Sequence, residues 1–252
     1  KNINTTAKIG VKLVSEIGVG TIAVGVAKGF ADSILISGCE GGTGASPISS
    51  MRHAGLPMEL GIAEAHQVLV LNNLRDRVVL QTDGKILTGR DVVNCAILGA
   101  DQFGFGTAAL VVLGCVMLRK CHLNTCAVGI ATQNETLRKR FSGRPEYLVN
   151  YFNFIAEEVR EIMAELGVSK FNDLIGNIDL LDIDGSKHFW KTEKLDFSGM
   201  FRKLNLGRNK TFYNSTKQED VLKDALDKKI IDACGDVMEG IGNIEMDIEI
   251  QN

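Results

Sequence analysis

The sequence predicts an α/β protein built on a parallel sheet, and three observations predict it. A strand–loop–helix unit recurs four times over about 110 residues, and such alternation sets successive strands side by side with helices as crossovers. Glycine-rich loops follow the C-terminal ends of those strands, where barrels and open sheets hold their sites. The third is composition. Of 252 residues, 45% are hydrophobic and 23% charged, which is ordinary for a globular chain of one large or two small domains.

Each element has its own signal. Residues 8–14 are short, β-branched and bounded by small residues, a strand with Lys12 near its C-terminal end. A helix over 20–29 follows, interrupted by glycines. Residues 31–37 form a second strand that runs into Gly38-Cys-Glu-Gly-Gly-Thr-Gly-Ala-Ser-Pro47, a loop with four glycines. Residues 58–74 read as a helix, apolar at Leu60, Ala63, Val68 and Leu71. Residues 77–82 are the third strand. Asp83-Gly84 follows, and Thr88-Gly-Arg-Asp91 opens a helix ending near Gly99. Residues 100–104 are the fourth strand, leading into Phe105-Gly106-Thr107 and an apolar run over 108–113. Beyond the cysteines, 146–166 is an amphipathic helix with Leu148, Phe152, Ile155, Val159 and Ile162 at helical spacing. A short helix starts at Phe171, a polar meander over 180–216 packs on something, and 218–231 is another helix. Residues 240–252 read as a strand-like end.

Charge and targeting exclude several classes. The net charge is −3, which gives no basic footprint for nucleic acid or an acidic membrane. No run is apolar enough to span a bilayer; residues 17–27 are apolar but short. The N-terminus is no signal peptide. Six cysteines without an export signal place the chain in a reducing compartment, the cytoplasm.

Three of those cysteines, Cys115, Cys121 and Cys126, are spaced C-x5-C-x4-C. Thiolates this close suit an iron–sulfur cluster. Zinc is disfavoured by the lack of a C-x2-C pair, and His122 adjoins Cys121. Without a fourth nearby cysteine, three irons fit better than four. The alternative is three buried cysteines acting as small hydrophobes. The two loops Asp83-Gly84 and Gly104-Phe-Gly106-Thr107 follow consecutive strands. Their backbone N–H groups, with a helix N-terminus, make an anion site suited to a phosphorylated cofactor; plain tight turns are the alternative. Lys12 could aim its cation into the site or sit solvated. Gly41 and Gly42 let backbone approach a flat ring. Arg52 and His53 could bind carboxylates. Glu40 suits the surface, and Cys39 lacks a basic partner for nucleophilic work. Cys95 is assigned to the core, and Cys234, His66 and His188 to structure.

At this point a resemblance is visible. It is carried by Val11-Lys-Leu-Val-Ser-Glu16, Gly18-Val-Gly-Thr21, Gly25-Val-Ala-Lys28, Gly41-Gly-Thr-Gly-Ala-Ser-Pro47, Thr88-Gly-Arg90, Gly104-Phe-Gly106 and Cys121-His-Leu-Asn-Thr-Cys126-Ala-Val-Gly-Ile-Ala-Thr-Gln133. These closely resemble the glutamate synthase large-subunit family over residues 8–181, and more loosely over 218–231. The resemblance implies the second half of a TIM (β/α)8 barrel with an iron–sulfur cluster loop, spanning 1–181. A helical and irregular extension, 182–252, would link it to a further domain. It implies FMN and a three-iron, four-sulfur (3Fe-4S) cluster on Cys115, Cys121 and Cys126. It implies a phosphate grip at Gly84, Gly104 and Gly106, with Asp83 and Thr107 beside it, and Gly41, Gly42 and Lys12 around the flavin. Lys12 is the one catalytic candidate.

In that family ammonia from glutamine, released in an amidotransferase domain, condenses with 2-oxoglutarate, and reduced FMN delivers hydride to 2-iminoglutarate. Electrons come from a NAD(P)H-oxidising small subunit or ferredoxin. Neither nucleic acid nor membrane is implied. Two alternatives are a related enzyme joining another amine to a keto acid, and a non-catalytic iron–sulfur module. Three departures matter: Lys85 where the family usually has a second Gly, Ala127 where it often has Pro, and no first barrel half with its Gly- and Lys-rich 2-oxoglutarate loop. The chain is therefore expected to be a fragment or one piece of a split enzyme, inactive and aggregation-prone alone.

Overall fold

A computed structural model describes residues 4, 6–42, 46–182, 190–205, 210–218 and 225–248. Its centre is a four-stranded parallel sheet in the order β1-β2-β3-β4. The strands are β1 (Gly10–Val14), β2 (Ser33–Ser37), β3 (Val79–Asp83) and β4 (Gln102–Gly104). Between them lie α1 (Val19–Lys28), α2 (Ile48–His53), α3 (Met58–Leu71) and α4 (Gly89–Ile97). A doubly wound sheet reverses its order at a switch point; this one does not. It is the arrangement of part of a (β/α) barrel, with sequential strands and one helical layer.

Strand alternation sorts the side chains. Ile34, Ile36, Leu80 and Thr82 are buried in one core with Ala23 and Ala27 of α1, Ile62 and Leu69 of α3, and Val93 and Ala96 of α4. The other face carries Lys12, Leu35, Gln81 and Gln102, which stand in register across all four strands. Gln81 donates to Gln102 at 2.7 Å there. A barrel lumen is the face that such polar residues would line.

Local chemistry explains where helices begin. Thr88 Oγ1 accepts from Asp91 N, and Asp91 Oδ2 accepts from Thr88 N, so the expected helix opens on a capping box. Helix α1 has no side-chain cap of its own. Glu64, on α3, accepts from Gly18 N and Gly20 N instead, at 3.2 and 3.1 Å. Helix α3 ends earlier than its periodicity suggested, and a 3-10 turn at Arg75–Arg77 leads into β3.

After β4 come α5 (Thr107–Val112), the cysteine loop, α6 (Glu135–Arg138) and α7 (Pro145–Glu165), which packs on α4. Gly89 allows that approach, since a Cβ there would stand 2.9 Å from Val159 N. The short helix at Phe171 is a 3-10 turn, Phe171–Asp173.

Residues 210–216 of the polar meander pack under the N-terminal ends of the strands. Arg75 is fully buried there. Its Nε donates to His66 Nδ1 at 3.1 Å, and Nη2 to Gly99 O and Asp101 Oδ2 at 2.8 and 2.9 Å. Asn214 N donates to Asp101 Oδ1, and Lys210 Nζ pairs with Asp76 Oδ2. His66 is thus structural, as expected; His188 lies outside the described residues.

The chain divides into compact units 1–217 and 218–252. The second holds α8 (Leu226–Ala233) and α9 (Gly235–Met238), with no buried residue among those described. Helix α8 begins later than expected, and residues 219–224 lie outside the described ones. No strand forms over 241–248, and residues 249–252 of the expected strand-like end lie outside the described ones. No helix among the described residues is long and apolar enough to cross a membrane.

Candidate functional site

The C-terminal ends of the four strands gather the predicted residues. Lys12 leaves β1 on the helix-free face, and its Nζ meets Asp83 Oδ2 at 3.1 Å. Lys12 is half-exposed, so the solvated reading holds for part of its length. Its ammonium nonetheless faces the sheet, because Asp83 ends β3 on the same face. The other carboxylate oxygen, Asp83 Oδ1, is buried without a hydrogen-bond partner among the described residues. Gly38 N donates to Asp83 O at 2.9 Å, which pins the second loop to the third strand.

Glycines are needed here by space. A Cβ at Gly41 would stand 2.5 Å from Asp83 Oδ1 and collide with Ser37 Oγ; one at Gly104 would lie 2.9 Å from Asp83 Cβ. Gly84 has φ 136°, reserved for glycine, and a Cβ there would be 3.2 Å from Gly38 Cα.

Two cavities open on this end. One of about 360 Å³ is lined by Lys12, Ser37, Cys39, Gly41, Ser46 and Met51 among others. Cys39 therefore borders the site. The second, about 170 Å³, is lined by Glu40, Gly41, Gly42, Asp83, Gly84, Lys85, Gly104, Phe105, Gly106 and Thr107. The structure thus brings both glycine loops to one cavity. The N-terminus of α4 is not part of it: Gly89 N donates to Glu158 Oε2 at 2.7 Å. Arg52 and His53 end α2 exposed to solvent. Glu40 Oε1 pairs with Lys85 Nζ at 3.0 Å, an ion pair invisible to pattern reading.

The cysteine loop leaves α5 as irregular backbone. Met117, Arg119 and Asn124 have positive φ. Cys115, Cys121 and Cys126 are free thiols, each half-buried. Neighbouring backbone N–H groups, that of Ala131 foremost and those of Val128, Ile130 and Gly129 after it, pull the Cys126 thiol below the ordinary value, against a smaller effect of burial. Asn124 Oδ1 closes the loop, accepting from Gln133 N at 2.7 Å and Thr132 Oγ1 at 2.9 Å. Cys95, by contrast, is a core residue whose thiol burial pushes up to about 12. Cys234 is half-buried at the end of α8.

Among the described residues, no three His, Cys, Asp or Glu side chains are placed to hold a single metal ion. A cluster of several irons asks for something else, because each thiolate binds its own iron and N–H groups aimed at sulfur stabilise the charge. Three free thiols are the donor type such a cluster takes. Arg119 Nη1 also donates to Ser46 O at 3.4 Å, tying this loop to the rim of the Lys12 cavity. Sequence reading missed that contact, since 73 residues separate the partners.

Comparison with known proteins gives one answer. The family described as a conserved region in glutamate synthase matches residues 1–169. The chain is 55% identical to the NADPH glutamate synthase large chain of Bacillus subtilis (strain 168), over 100% of this chain and 16% of that one. It is 50% identical to the NADH glutamate synthase of Schizosaccharomyces pombe, over 100% and 12%. It is 47% identical to the ferredoxin-dependent glutamate synthase of Antithamnion sp., over 99% and 16%. It therefore spans 12% to 16% of the length of these relatives. Among solved structures, a flavocytochrome b2 mutant with pyruvate bound aligns at a TM-score of 0.49 and 16% identity, over 98% of this chain and 43% of that one, a likeness too slight to bear on ligand or fold. With the motifs, the matched residues and these identities agreeing, the chain belongs to the glutamate synthase family.

Proposed function

We propose that the chain forms part of the synthase site of a glutamate synthase, making L-glutamate from 2-oxoglutarate and glutamine-derived ammonia through 2-iminoglutarate. When bound, FMN would supply the hydride, and a 3Fe-4S cluster on Cys115, Cys121 and Cys126 would pass it electrons. Residues 1–181 carry this chemistry, and 182–252 lead towards another domain. An amidotransferase domain would supply ammonia, and a NAD(P)H-oxidising subunit or ferredoxin the electrons, in the cytoplasm.

The chain's own residues divide the work. Gly42, where a Cβ would meet nothing within 4 Å, leaves room for a flat ring against the second loop, and Gly41 lets that loop close on Ser37 and Asp83. The backbone of Gly84, Gly104, Gly106 and Thr107 faces the smaller cavity and would bind phosphate. Asp83 holds the Lys12 ammonium at the cavity mouth, where it would balance negative charge on a reduced ring or a substrate carboxylate. The unpartnered Asp83 Oδ1 lacks a donor that a ligand hydroxyl would provide.

The observation that carries this reading is the Arg119–Ser46 hydrogen bond. It ties Arg119, between Cys115 and Cys121, to the rim of the cavity that Lys12 lines, which supports a path for electrons from the cysteine loop to a bound ring. The test is an anaerobic visible spectrum with iron, sulfide and flavin analysis of the complete protein. Iron and sulfide at ~3:4 with stoichiometric FMN supports the reading. Zinc or no metal, and no flavin, overturns it.

A further inference from the structure

Lys85 stands where backbone geometry asks for glycine. Its φ is 70°, left-handed, directly after Gly84. A long L side chain is strained in that region, so the position is held against a local cost. Strain of this kind gathers at ligand clamps. The conformation carries Lys85 Nζ to 3.0 Å from Glu40 Oε1. Both side chains are partly exposed, 50% and 38%, so the pair contributes little to folding.

Its place is what matters. Glu40 and Lys85 line the cavity of about 170 Å³ whose walls are the glycine loops. One water needs only about 10–15 Å³ of such space, so a phosphate group fits. The charged groups of that wall are Glu40, Asp83 and Lys85, and Asp83 is engaged by Lys12. Lys85 is thus the wall's single cation, and an exposed carboxylate holds it.

We propose that Lys85 is a ligand for the phosphate of FMN in this cavity, and that Glu40 holds its ammonium there until the phosphate displaces the carboxylate. The inference rests on the flavin reading above and adds the side chain that discriminates FMN from riboflavin. A phosphate monoester brings close to two negative charges and three acceptor oxygens, against one charge on Glu40. The exchange therefore favours phosphate without opening the fold.

The experiment titrates the complete protein, freed of flavin, with FMN and with riboflavin, following flavin fluorescence. Wild-type protein prefers FMN. Lys85→Asn, which tolerates a left-handed backbone but carries no charge, loses about tenfold in FMN affinity and none for riboflavin. Lys85→Gly does the same while its thermal midpoint rises, which separates lost affinity from misfolding. Glu40→Gln moves the other way, tightening FMN about two- to fivefold. Unchanged FMN affinity in both Lys85 variants, or weaker FMN binding in Glu40→Gln, overturns the inference alone. Wild-type protein that binds inorganic phosphate but treats the two flavins alike also overturns it. Wild-type protein that takes up neither flavin overturns the flavin reading and this inference together.

Discussion

Cys126 and Cys95 show how far one residue type can be driven apart within a chain. The neighbouring backbone N–H groups, Ala131 foremost, favour the thiolate of Cys126. Cys95 sits in the core at 1% exposure, where a charged sulfur is not tolerated. In cluster-free protein, iodoacetamide labelling followed by mass spectrometry across pH should modify Cys126 below the ordinary thiol range. Cys95 should stay unlabelled until the fold is lost. Equal profiles would mean that the amide contacts do not form. Gly104 makes a second case at this scale. Gly104→Ala forces a Cβ against Asp83, for about 1–3 kcal/mol, and shifts the carboxylate that holds Lys12. Flavin retention of the complete protein should fall with it, while Gly25→Ala on α1, where a Cβ meets nothing within 4 Å, should be mild. Both cases mark what the sequence could and could not tell. Glycine spacing announced the loops and cysteine spacing announced the thiols. That Gly41 and Gly104 press on one aspartate, or that Arg119 reaches Ser46, depends on strand register and long-range closure, which no local pattern records.

Between elements, the strand N-termini are locked by a buried polar knot that periodicity did not reveal. His66 falls within the helix predicted over 58–74, and Arg75 just past its end. Arg75 joins α3 to β3, to Gly99 after α4 and to Asp101 before β4. Removing it leaves Asp101 short of its partner, and breaking a buried pair costs about 3–5 kcal/mol. Arg75→Met should lower the denaturation midpoint accordingly, with Arg75→Lys recovering only part because it lacks the forked donors. The same knot sets a pH dependence. Burial, and then the Arg75 charge, hold His66 well below 6.5. The unfolded chain thus takes up a proton near that value and the folded one does not, so stability is full above about pH 6.5 and declines as pH falls below it. His66→Gln should flatten that part of a melting-temperature profile between pH 7 and 5; an unchanged slope would place the titration elsewhere.

At the scale of the whole molecule, the alternating strands and helices were legible because each unit is short and its signals lie within about 30 residues. Whether the sheet was open or curled was not, since the order of strands is a property of the ensemble of units. The structure supplies the order, and with it a consequence. Among the described residues, strands β1 and β4 are each paired on one side only, and the face bearing Lys12, Gln81 and Gln102 has no helical layer. Ile17 and Val14, beside the open β1 edge, are 91% and 46% exposed. Unpaired edges with apolar neighbours invite further strands, and parallel strands are stable mainly where both faces are covered. The 252-residue chain on its own should therefore self-associate. Size-exclusion chromatography with light scattering should find large, concentration-dependent species. Lys substituted at Val14 should reduce them more than Lys at Phe154, an apolar and exposed residue of α7. A stable monomer at high concentration would mean that the described sheet closes its edges by itself.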